Sequence, residues 1–297
     1  MQRSGHADQV LARLLGGERC NNAVLSPLSG RTNENYLVSL AGDVVEHYVL
    51  RVGSPYTAVL GIDRKIEHAI LMEASAKGIA PAVIAALPSD GHLLTKFVEG
   101  SRVSARTFES PDKVRKVAEL LKDVHALTPK QTNDMSERIR NYCSTTERVY
   151  PAQAARLLRE LSDLEQSAQE YRENYQLTRL CHNDLVRANF IDRGSMILLD
   201  WEYSGDGDLF FDLATVSAEF GFRPSQDELL IQAYFPEPPI GWREHLRTMK
   251  QIFLCREIAW ARVQCVIRDE IAIFAEIAES RCKDLERLRS GLDPSTH

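Results

Sequence analysis

The sequence predicts an α+β protein with a β-rich N-terminal part and a mainly helical C-terminal part. Strand-like segments dominate up to about residue 100, whereas apolar residues beyond it recur at helical spacing. A four-residue apolar run, Met196–Leu199, lies between Gly194 and Asp200 and predicts a short buried strand within the helical part. We therefore expect an N-terminal domain at 1–100 and a helical C-terminal domain at 101–297 that carries a small β insert.

The composition argues against a nucleic-acid-binding or membrane protein. The chain has 297 residues, of which 44% are hydrophobic and 26% are charged, so it can bury a sizeable core. Its formal net charge of −6 opposes general attraction to nucleic acids or anionic membranes. No apolar run approaches the roughly 18 residues that a membrane span needs. We expect neither nucleic acid nor membrane as a partner.

The cysteines and the first residues predict a cytoplasmic protein. The N-terminal MQRSGHADQV lacks the apolar segment of a secretory signal, and the cysteines form no CxxC pair. We expect six reduced thiols, at Cys20, Cys143, Cys181, Cys255, Cys265 and Cys282.

The N-terminal elements begin with a helix and a polar loop. Residues 8–16 have helical spacing, and glycine ends that helix. Polar residues then lead into the alternating strand Tyr36–Leu40. Such a loop can offer backbone N–H groups to phosphate, although its single glycine by itself favours an ordinary hairpin turn. The candidate phosphate-binding residues in the loop are Ser29, Gly30, Asn33 and Asn35.

The next predicted strand and the helix after it each carry a charged residue, and the two could form an ion pair. The strand Val45–Val52 contains Arg51, and the helix that follows carries Glu67 in its first turn. An ion pair between them would hold the guanidinium toward a bound phosphate. Arg64 and Glu73 are competing partners, and the sequence leaves this choice open.

The rest of the framework is mostly helical. His92–Gly100 is predicted to be the last strand of the N-terminal sheet. Ser110 and Pro111 mark the start of a helix that ends near His125, which we interpret as a hydrogen-bonded structural histidine. Residues 133–175 predict two helices, and Arg243–Leu288 predicts one long helical region.

The stretch Leu180–Ala214 concentrates the polar groups on which chemistry can depend. Asp184 and Asn189 are expected on one loop, and Asp200 at the end of the short strand. Their oxygen atoms suit Mg²⁺, which takes one or two carboxylates together with phosphate oxygens. With the Arg51–Glu67 pair and a polar loop, they complete the parts needed for phosphoryl transfer. The candidate catalytic residues are Asp184, Arg51, Glu67 and His182, and the candidate metal ligands are Asn189 and Asp200.

Acidic residues continue beyond this stretch. Between Gly194 and Phe222 there are six acids and no lysine or arginine. Asp206 and Asp208, in a glycine-rich segment, are expected to be solvated turn residues. Glu219, on a predicted helix, is a candidate for attracting a cationic substrate.

HNDLVRAN at 182–189 and LLDWEY at 198–203 resemble the catalytic loop and the metal-binding motif of choline/ethanolamine kinases and their aminoglycoside-phosphotransferase relatives. The resemblance extends from LSGRTNENY, at 28–36, to the region of Trp260. It implies a protein-kinase-like fold with two lobes, and a reaction that consumes ATP with Mg²⁺. One departure is Ser29, which stands where the family's phosphate loop usually has a second glycine.

The resemblance also implies roles for single residues. Asp184 is the catalytic base, and Asn189 and Asp200 bind Mg²⁺. The loop from Ser29 to Asn35 covers ATP, and Asp212 braces the catalytic loop.

In the N-terminal part, the resemblance implies that Arg51 grips phosphate, where many kinases have lysine, and that Glu67 pairs with it. The hinge that holds adenine falls at about Lys96 to Glu99, which makes Lys96, Phe97 and Val98 candidate nucleotide contacts.

The acceptor implied by the resemblance is a small cationic amino alcohol, choline first and ethanolamine next. Tyr203 and Glu219 match positions of the family's amine cage, and Trp260 matches one cage tryptophan. Glu257 stands in place of another tryptophan, and Ile277 replaces a late tyrosine. Thiamine or an aminoglycoside is the alternative acceptor, and a nucleotide-binding pseudokinase is the alternative from another class. The sequence leaves the oligomeric state open.

Overall fold

The computed structural model describes residues 2–28, 33–42, 44–268 and 271–291. The chain forms two compact units. The N-terminal unit comprises Met1–Ala58, Ile62–Ser101 and Ile191–Glu202. The C-terminal unit comprises Val59–Gly61, Arg102–Phe190 and Tyr203–His297.

The N-terminal unit is built on a five-stranded antiparallel sheet with the strand order β1-β2-β3-β5-β4. The strands are β1 (Ala23–Leu28), β2 (Glu34–Leu40), β3 (Glu46–Val52), β4 (Val83–Leu87) and β5 (His92–Lys96). Buried Val38 and Leu50 of adjacent strands share a core with Val10 and Leu11 of the first helix, α1 (Gln2–Leu15). Alternation along the strands therefore places one face of the sheet under this helix.

Of the two N-terminal helices, one precedes the sheet in the chain and the other lies between β3 and β4. Helix α1 begins at Gln2, so the predicted start at residue 8 is wrong, because the polar first residues continue the helix without an apolar stripe. Helix α2 (Arg64–Ala76) is capped by Asp63, whose side chain accepts from the N–H groups of Lys65 at 2.9 Å and Ile66 at 3.1 Å. This cap fixes the first turn, where the charged residues of the site lie.

The predicted hairpin after residue 189 is confirmed. It consists of β8 (Phe190–Asp192) and β9 (Met196–Leu198), which follow the short strands β6 (Ser101–Arg102) and β7 (Thr178–Cys181) in the chain. Gly194 supplies the positive φ, 98°, that the turn requires. The N–H of Leu198 donates to the carbonyl of Ile79 at 2.9 Å, which joins the hairpin to the rest of the N-terminal unit.

The C-terminal unit is helical, as expected. Its helices are α3 (Pro111–His125), α4 (Met135–Thr146), α5 (Pro151–Asn174), α6 (Leu209–Phe220), α7 (Pro224–Tyr234), α8 (Trp242–Ile267) and α9 (Ile271–Arg289). The single helical region predicted from Arg243 to Leu288 is two helices, because Arg268 is extended, at φ −128° and ψ 161°, and ends α8.

The acidic segment after Tyr203 differs from the expectation. Gly205–Asp208 forms a strand, β10, that pairs with β7, so it is not a solvated turn. Asp208 is buried, caps α6 through the N–H of Phe210 at 2.9 Å, and binds Nε2 of His245 at 2.9 Å. Local sequence patterns do not indicate this strand, because it depends on pairing with Thr178–Cys181, an antiparallel partner earlier in the chain.

Two further findings concern the cysteines and the helices. None of the six cysteines is in a disulfide. Within the described residues, no helix combines the length and apolarity that crossing a membrane requires.

Candidate active site

The predicted Arg51–Glu67 pair is present. Glu67 accepts two hydrogen bonds from the guanidinium of Arg51, one of them 3.0 Å long. Arg64, the expected competitor, also reaches Glu67, at 2.9 Å, so one carboxylate holds two guanidiniums. Burial would raise the pKa of Glu67, but the two arginines outweigh it and the pKa is lowered. Glu67 is therefore an ionised anchor for Arg51.

Arg64 belongs to a buried network that the sequence did not reveal. Its guanidinium donates to Glu202 at 2.8 Å and to Oδ1 of Asn33 at 2.8 Å. Asn33 in turn donates to Glu202 at 2.9 Å. Glu202 is 4% exposed, and burial raises its pKa despite the nearby arginines. Asn33 thus anchors the end of the predicted phosphate loop through its side chain.

The other predicted nucleotide contacts in the loop and strands are placed as follows. Ser29 and Gly30 lie outside the described residues. Asn35 lies directly opposite Arg51 across β2 and β3, and so shares its face of the sheet. Lys96 is the exposed last residue of β5, and its N–H donates to the carbonyl of Ala82 at 2.8 Å.

Phe97 and Val98 continue the chain beyond this strand. The N–H of Phe97 donates to the carbonyl of His47 at 3.0 Å, and its half-exposed ring makes an edge contact with the same histidine. Val98 is partly buried. The predicted hinge is therefore tied to the sheet by its first residues, and its role in holding adenine stays a prediction.

Asp200 follows the hairpin in an unusual backbone conformation. Its φ is 58°, in the left-handed region that costs a non-glycine residue about 1 kcal/mol or more. Burial would lower the pKa of Arg51, but Glu67, with Glu202 and Asp200, raises it. Asp200 is thus part of the acidic surroundings of Arg51. Strained backbone of this kind is typical of functional loops.

The catalytic-loop candidates His182, Asn183 and Asp184 are buried. Hydrogen bonds to a residue of α6 fix the loop. Asp212, which is fully buried, accepts from the N–H groups of His182 and Asn183 at 2.8 Å each. Asn183 has a φ of 63° and donates through its side chain to the carbonyl of Tyr203 at 3.2 Å. The bracing contact expected for Asp212 therefore exists.

The two histidines near this loop have structural contacts. His125 binds Asp212 at 3.2 Å and the hydroxyl of Tyr234 at 2.7 Å, in keeping with the structural interpretation. His182 is fully buried, and its Nδ1 accepts from the N–H of Asp184 at 3.3 Å. This contact shapes the loop, and the predicted catalytic role of His182 stays a prediction.

Asp184 is fixed by two side chains. Nδ2 of Asn189 donates to Oδ2 and to the carbonyl of Asp184, both at 2.8 Å, and Arg256 donates to Oδ1 at 2.8 Å. Because the amide nitrogen of Asn189 faces Asp184, its oxygen is the atom left for a cation. An amide oxygen is a ligand type that Mg²⁺ takes, and the role of Asn189 as a metal ligand stays a prediction.

Arg256 is a site residue that the sequence reasoning missed. It is 2% exposed in the middle of α8 and also donates to Glu257 and to the carbonyl of Asn183. Burial would lower its pKa, but Glu257 and Asp184 raise it, so the guanidinium stays charged. Burial raises the pKa of Glu257, with Arg256 opposing. The feature of the sequence that could have identified Arg256 is the charged pair Arg256–Glu257 within the otherwise apolar run LCREIAW, at 254–260.

The predicted acceptor residues are partly brought together. Nε1 of Trp260 donates to the hydroxyl of Tyr203 at 3.2 Å. The ring of Trp260 also packs edge-on against Phe274, 5.7 Å away between centroids, an aromatic neighbour that the sequence did not single out. Glu219 is bound by Arg281 at 2.5 Å, so its charge is already paired.

With this geometry described, the chain can be compared with known proteins. Residues 24–246 match the phosphotransferase enzyme family, a match that covers most of the chain. The chain belongs to this family. The resemblance inferred from the two motifs is therefore confirmed.

Relatives of this phosphotransferase include LicA of Haemophilus influenzae, which is 27% identical over 216 residues, or 70% of the chain. That alignment spans 62% of the relative's length. Among solved structures, a choline/ethanolamine kinase family protein from Mesorhizobium loti has a TM-score of 0.77 and 24% identity, with 98% and 97% of the two chains covered. Choline kinase LicA from Streptococcus pneumoniae has a TM-score of 0.78 and 21% identity, with 95% and 99% covered.

These structural similarities establish the fold. The α+β, protein-kinase-like fold predicted for the phosphotransferase is confirmed. Glu257 and Arg256 lie on α8, and there the chain differs from the aromatic cage that the resemblance implied.

Proposed function

We propose that this phosphotransferase is an ATP- and Mg²⁺-dependent kinase that transfers a γ-phosphoryl group to the hydroxyl of a small amino alcohol, the class to which choline and ethanolamine belong. The observation that carries the proposal is Asp184, held between Arg256 and Asn189 on a loop braced by Asp212. A carboxylate fixed in this way is suited to orient an attacking hydroxyl.

The chain's own residues supply positioning and charge. Asp184 accepts the hydroxyl proton as the oxygen attacks phosphorus. Arg51, anchored by Glu67, binds phosphate oxygens of the nucleotide. Asn189 and Asp200 would hold Mg²⁺, which neutralises charge on the β- and γ-phosphate oxygens when bound.

Two observations support an amino alcohol as the acceptor. The similar solved structures include proteins titled choline kinase and choline/ethanolamine kinase family protein. The predicted acceptor residues Tyr203, Trp260 and Glu257 also share one region of the C-terminal unit, linked through Tyr203 and Arg256. Aromatic rings next to carboxylates are suited to a small polar molecule that carries an amine.

The test is a mass-spectrometric screen of the purified protein with ATP and Mg²⁺ against amino alcohols, thiamine and a set of aminoglycosides. We expect phosphorylation of at least one amino alcohol, and loss of about 10²- to 10⁴-fold in kcat for Asp184→Asn, because a general base contributes that much. Asp123→Asn, on the exposed side of α3, is the matched control.

The outcomes of this screen separate the alternatives. Turnover of thiamine or an aminoglycoside, without any amino alcohol, would replace the proposed acceptor. ATP binding without turnover of any acceptor would support the pseudokinase alternative. Equal activity of Asp184→Asn and the wild-type protein, both correctly folded by circular dichroism, would contradict the role of Asp184.

A further inference from the structure

Helix α6 carries two acids that contact the catalytic loop, one in each of its end turns. In the first turn, Asp212 accepts from the N–H groups of His182 and Asn183 at 2.8 Å each. Glu219 lies seven residues later, in the last turn. Seven residues are about two turns of an α-helix, so the two acids lie on one face, about 10 Å apart along the axis. The face that braces the start of the loop therefore extends to a second acid.

Arg187 is the loop residue that meets this second acid. It begins the short 3-10 turn Arg187–Asn189 of the catalytic loop. Its Nε and Nη2 donate to the main-chain carbonyl of Glu219 at 2.9 and 2.6 Å, and its own N–H donates to Oε1 of Glu219 at 3.4 Å. These three bonds, which we call the Arg187–Glu219 contact, join the loop to the end of α6.

The end of α6 favours a cation at this position. The N–H groups of Gly221 and Phe222 donate to the carbonyls of the two residues before Glu219. The carbonyl of Glu219 is satisfied instead by the two bonds from Arg187, as the last carbonyls of a helix require. A guanidinium at a helix C-terminus also interacts favourably with the helix dipole. The contact is therefore stabilised by charge as well as by hydrogen bonds.

The carboxylate of Glu219 is engaged by cations of the protein itself. Arg281 donates to its Oε2 at 2.5 Å, and Nε of Arg187 lies 3.6 Å from its Oε1. Burial would lower the pKa of Arg281, but Glu219 and Glu257 raise it, so this guanidinium is charged, and it also lies 3.6 Å from Asp284. Glu219 thus differs from the expectation that its charge is free to attract a substrate cation.

The turn that begins at Arg187 links the proposed base to a proposed metal ligand. Nδ2 of Asn189 donates to the carbonyl and to Oδ2 of Asp184, both at 2.8 Å, and the N–H of Asn189 donates to the carbonyl of Val186 at 2.9 Å. The position of Asn189 beside Asp184 therefore depends on the shape of this turn, and Arg187 ties the turn to α6.

We propose that Arg187 and Glu219 are positioning residues, which hold the turn that places Asn189 beside Asp184, and that Glu219 acts on the catalytic loop and not on the cation of the acceptor. This inference rests on the proposed function and gives one of its expected substrate contacts a different role. Positioning of this kind has a large effect on rate, because a misplacement of about 1 Å can cost about a hundredfold.

Arg187→Met tests the contact in the reaction. The side chain is 53% exposed, so its replacement leaves no buried cavity. With choline or ethanolamine, whichever the wild-type protein phosphorylates faster, we expect kcat to fall about tenfold or more and the acceptor KM to stay within about twofold. Arg187→Lys can still donate one bond to the carbonyl but lacks the planar fork, so its kcat should lie between the two. A raised acceptor KM with unchanged kcat would overturn the inference.

Glu219→Gln separates the two possible roles of the acid. Glutamine keeps an oxygen for the N–H of Arg187 but has no charge. We expect the acceptor KM to stay within about twofold, and kcat to fall less than in Glu219→Ala. If Glu219 bound the substrate cation, loss of its charge would raise the acceptor KM about tenfold or more, and that result would overturn the inference.

Hydrogen exchange followed by mass spectrometry provides a readout that needs no reaction and no ligand. In Arg187→Met, we expect peptides that contain residues 185–190 to exchange about tenfold faster or more, because the turn is no longer tied to α6. Peptides from α9 should exchange at the wild-type rate. Unchanged exchange at 185–190, or equal acceleration throughout the C-terminal unit, would contradict the positioning role.

The matched control is Arg179→Met. Arg179 is also exposed and donates to two main-chain carbonyls, those of Gln176 at 3.0 Å and Thr178 at 2.7 Å, but both lie within its own segment. We expect wild-type kcat, acceptor KM and exchange at 185–190. If the wild-type protein phosphorylates no amino alcohol, the proposed function fails, whereas hydrogen exchange still decides whether the Arg187–Glu219 contact holds the loop.

Discussion

At the scale of single residues, Arg64 is the side chain on which the charged network of the N-terminal unit depends. It is buried and donates to Glu67, Glu202 and Asn33. We predict that Arg64→Met lowers the free energy of unfolding by about 3–5 kcal/mol, because two buried carboxylates lose a partner. Urea denaturation followed by circular dichroism measures this change.

Two further variants give this prediction its controls. Arg115→Met removes an exposed pair with Asp112 and should change stability by about 1 kcal/mol at most. In the double variant Arg64→Met/Glu202→Met, part of the loss should be recovered, since fewer charges remain buried without partners. A loss no greater for Arg64→Met than for Arg115→Met would show that the network does not stabilise the unit.

The same residues show where sequence reasoning reaches its limit. Local sequence allows Arg51 and Glu67 to pair but leaves Arg64 and Glu73 as competitors, and the pair that forms is the one that the family resemblance implies. The bond between Arg64 and Glu202 joins residues 138 positions apart, and that between Arg256 and Asp184 joins residues 72 apart. Periodicity describes only which side of an element is buried, so it cannot identify the partner of a buried charge.

At the scale of elements, Asp208 joins three parts of the C-terminal unit. It ends β10, caps α6 and binds His245 of α8. We predict that Asp208→Ala lowers the free energy of unfolding by about 2–4 kcal/mol, the sum of a lost helix cap and an unpaired buried histidine. Thermal and urea unfolding both measure it.

The neighbouring Asp206 provides a matched control. It lies in the same strand, and its carboxylate accepts only a 3.2 Å bond from the N–H of Lys130 among the contacts described. Asp206→Ala should cost about 1 kcal/mol or less. Equal losses for the two variants would contradict the role of Asp208 as a junction.

Elements with local signals were predicted well, and those without them were not. Ser110 and Pro111 correctly mark the start of α3, and Gly194 the turn of the hairpin. The end of α8 at Arg268 was missed, because arginine is a good helix former and gives no sign of a helix end. The residues after it also return at once to helical apolar spacing. Strand β10 was missed because glycine and aspartate favour turns in isolation.

At the scale of the whole molecule, the compact units do not follow chain order. The N-terminal unit takes in Ile191–Glu202, about 90 residues after its preceding segment ends at Ser101. Composition gives no indication of this, because the contacts that return the hairpin are backbone bonds such as that between Leu198 and Ile79.

The thiols allow the opening of the C-terminal unit to be measured. Four buried cysteines lie within it, on α4, β7 and α8: Cys143, Cys181, Cys255 and Cys265. Burial raises the pKa of Cys143 to about 11 and that of Cys255 to about 12, which suppresses the reactive thiolate. Only Cys20 and Cys282 are partly exposed.

We therefore predict that a thiol reagent rapidly labels at most two cysteines in native buffer, whereas it rapidly labels all six in urea. The four buried thiols should react together in native buffer, at the slow rate at which the unit opens, because they are spread over elements of one core. Mass spectrometry of time points gives the number of labels, and Cys20→Ser/Cys282→Ser should remove the fast phase alone. Rapid labelling of a single buried cysteine would instead show that its element opens independently of the rest of the unit.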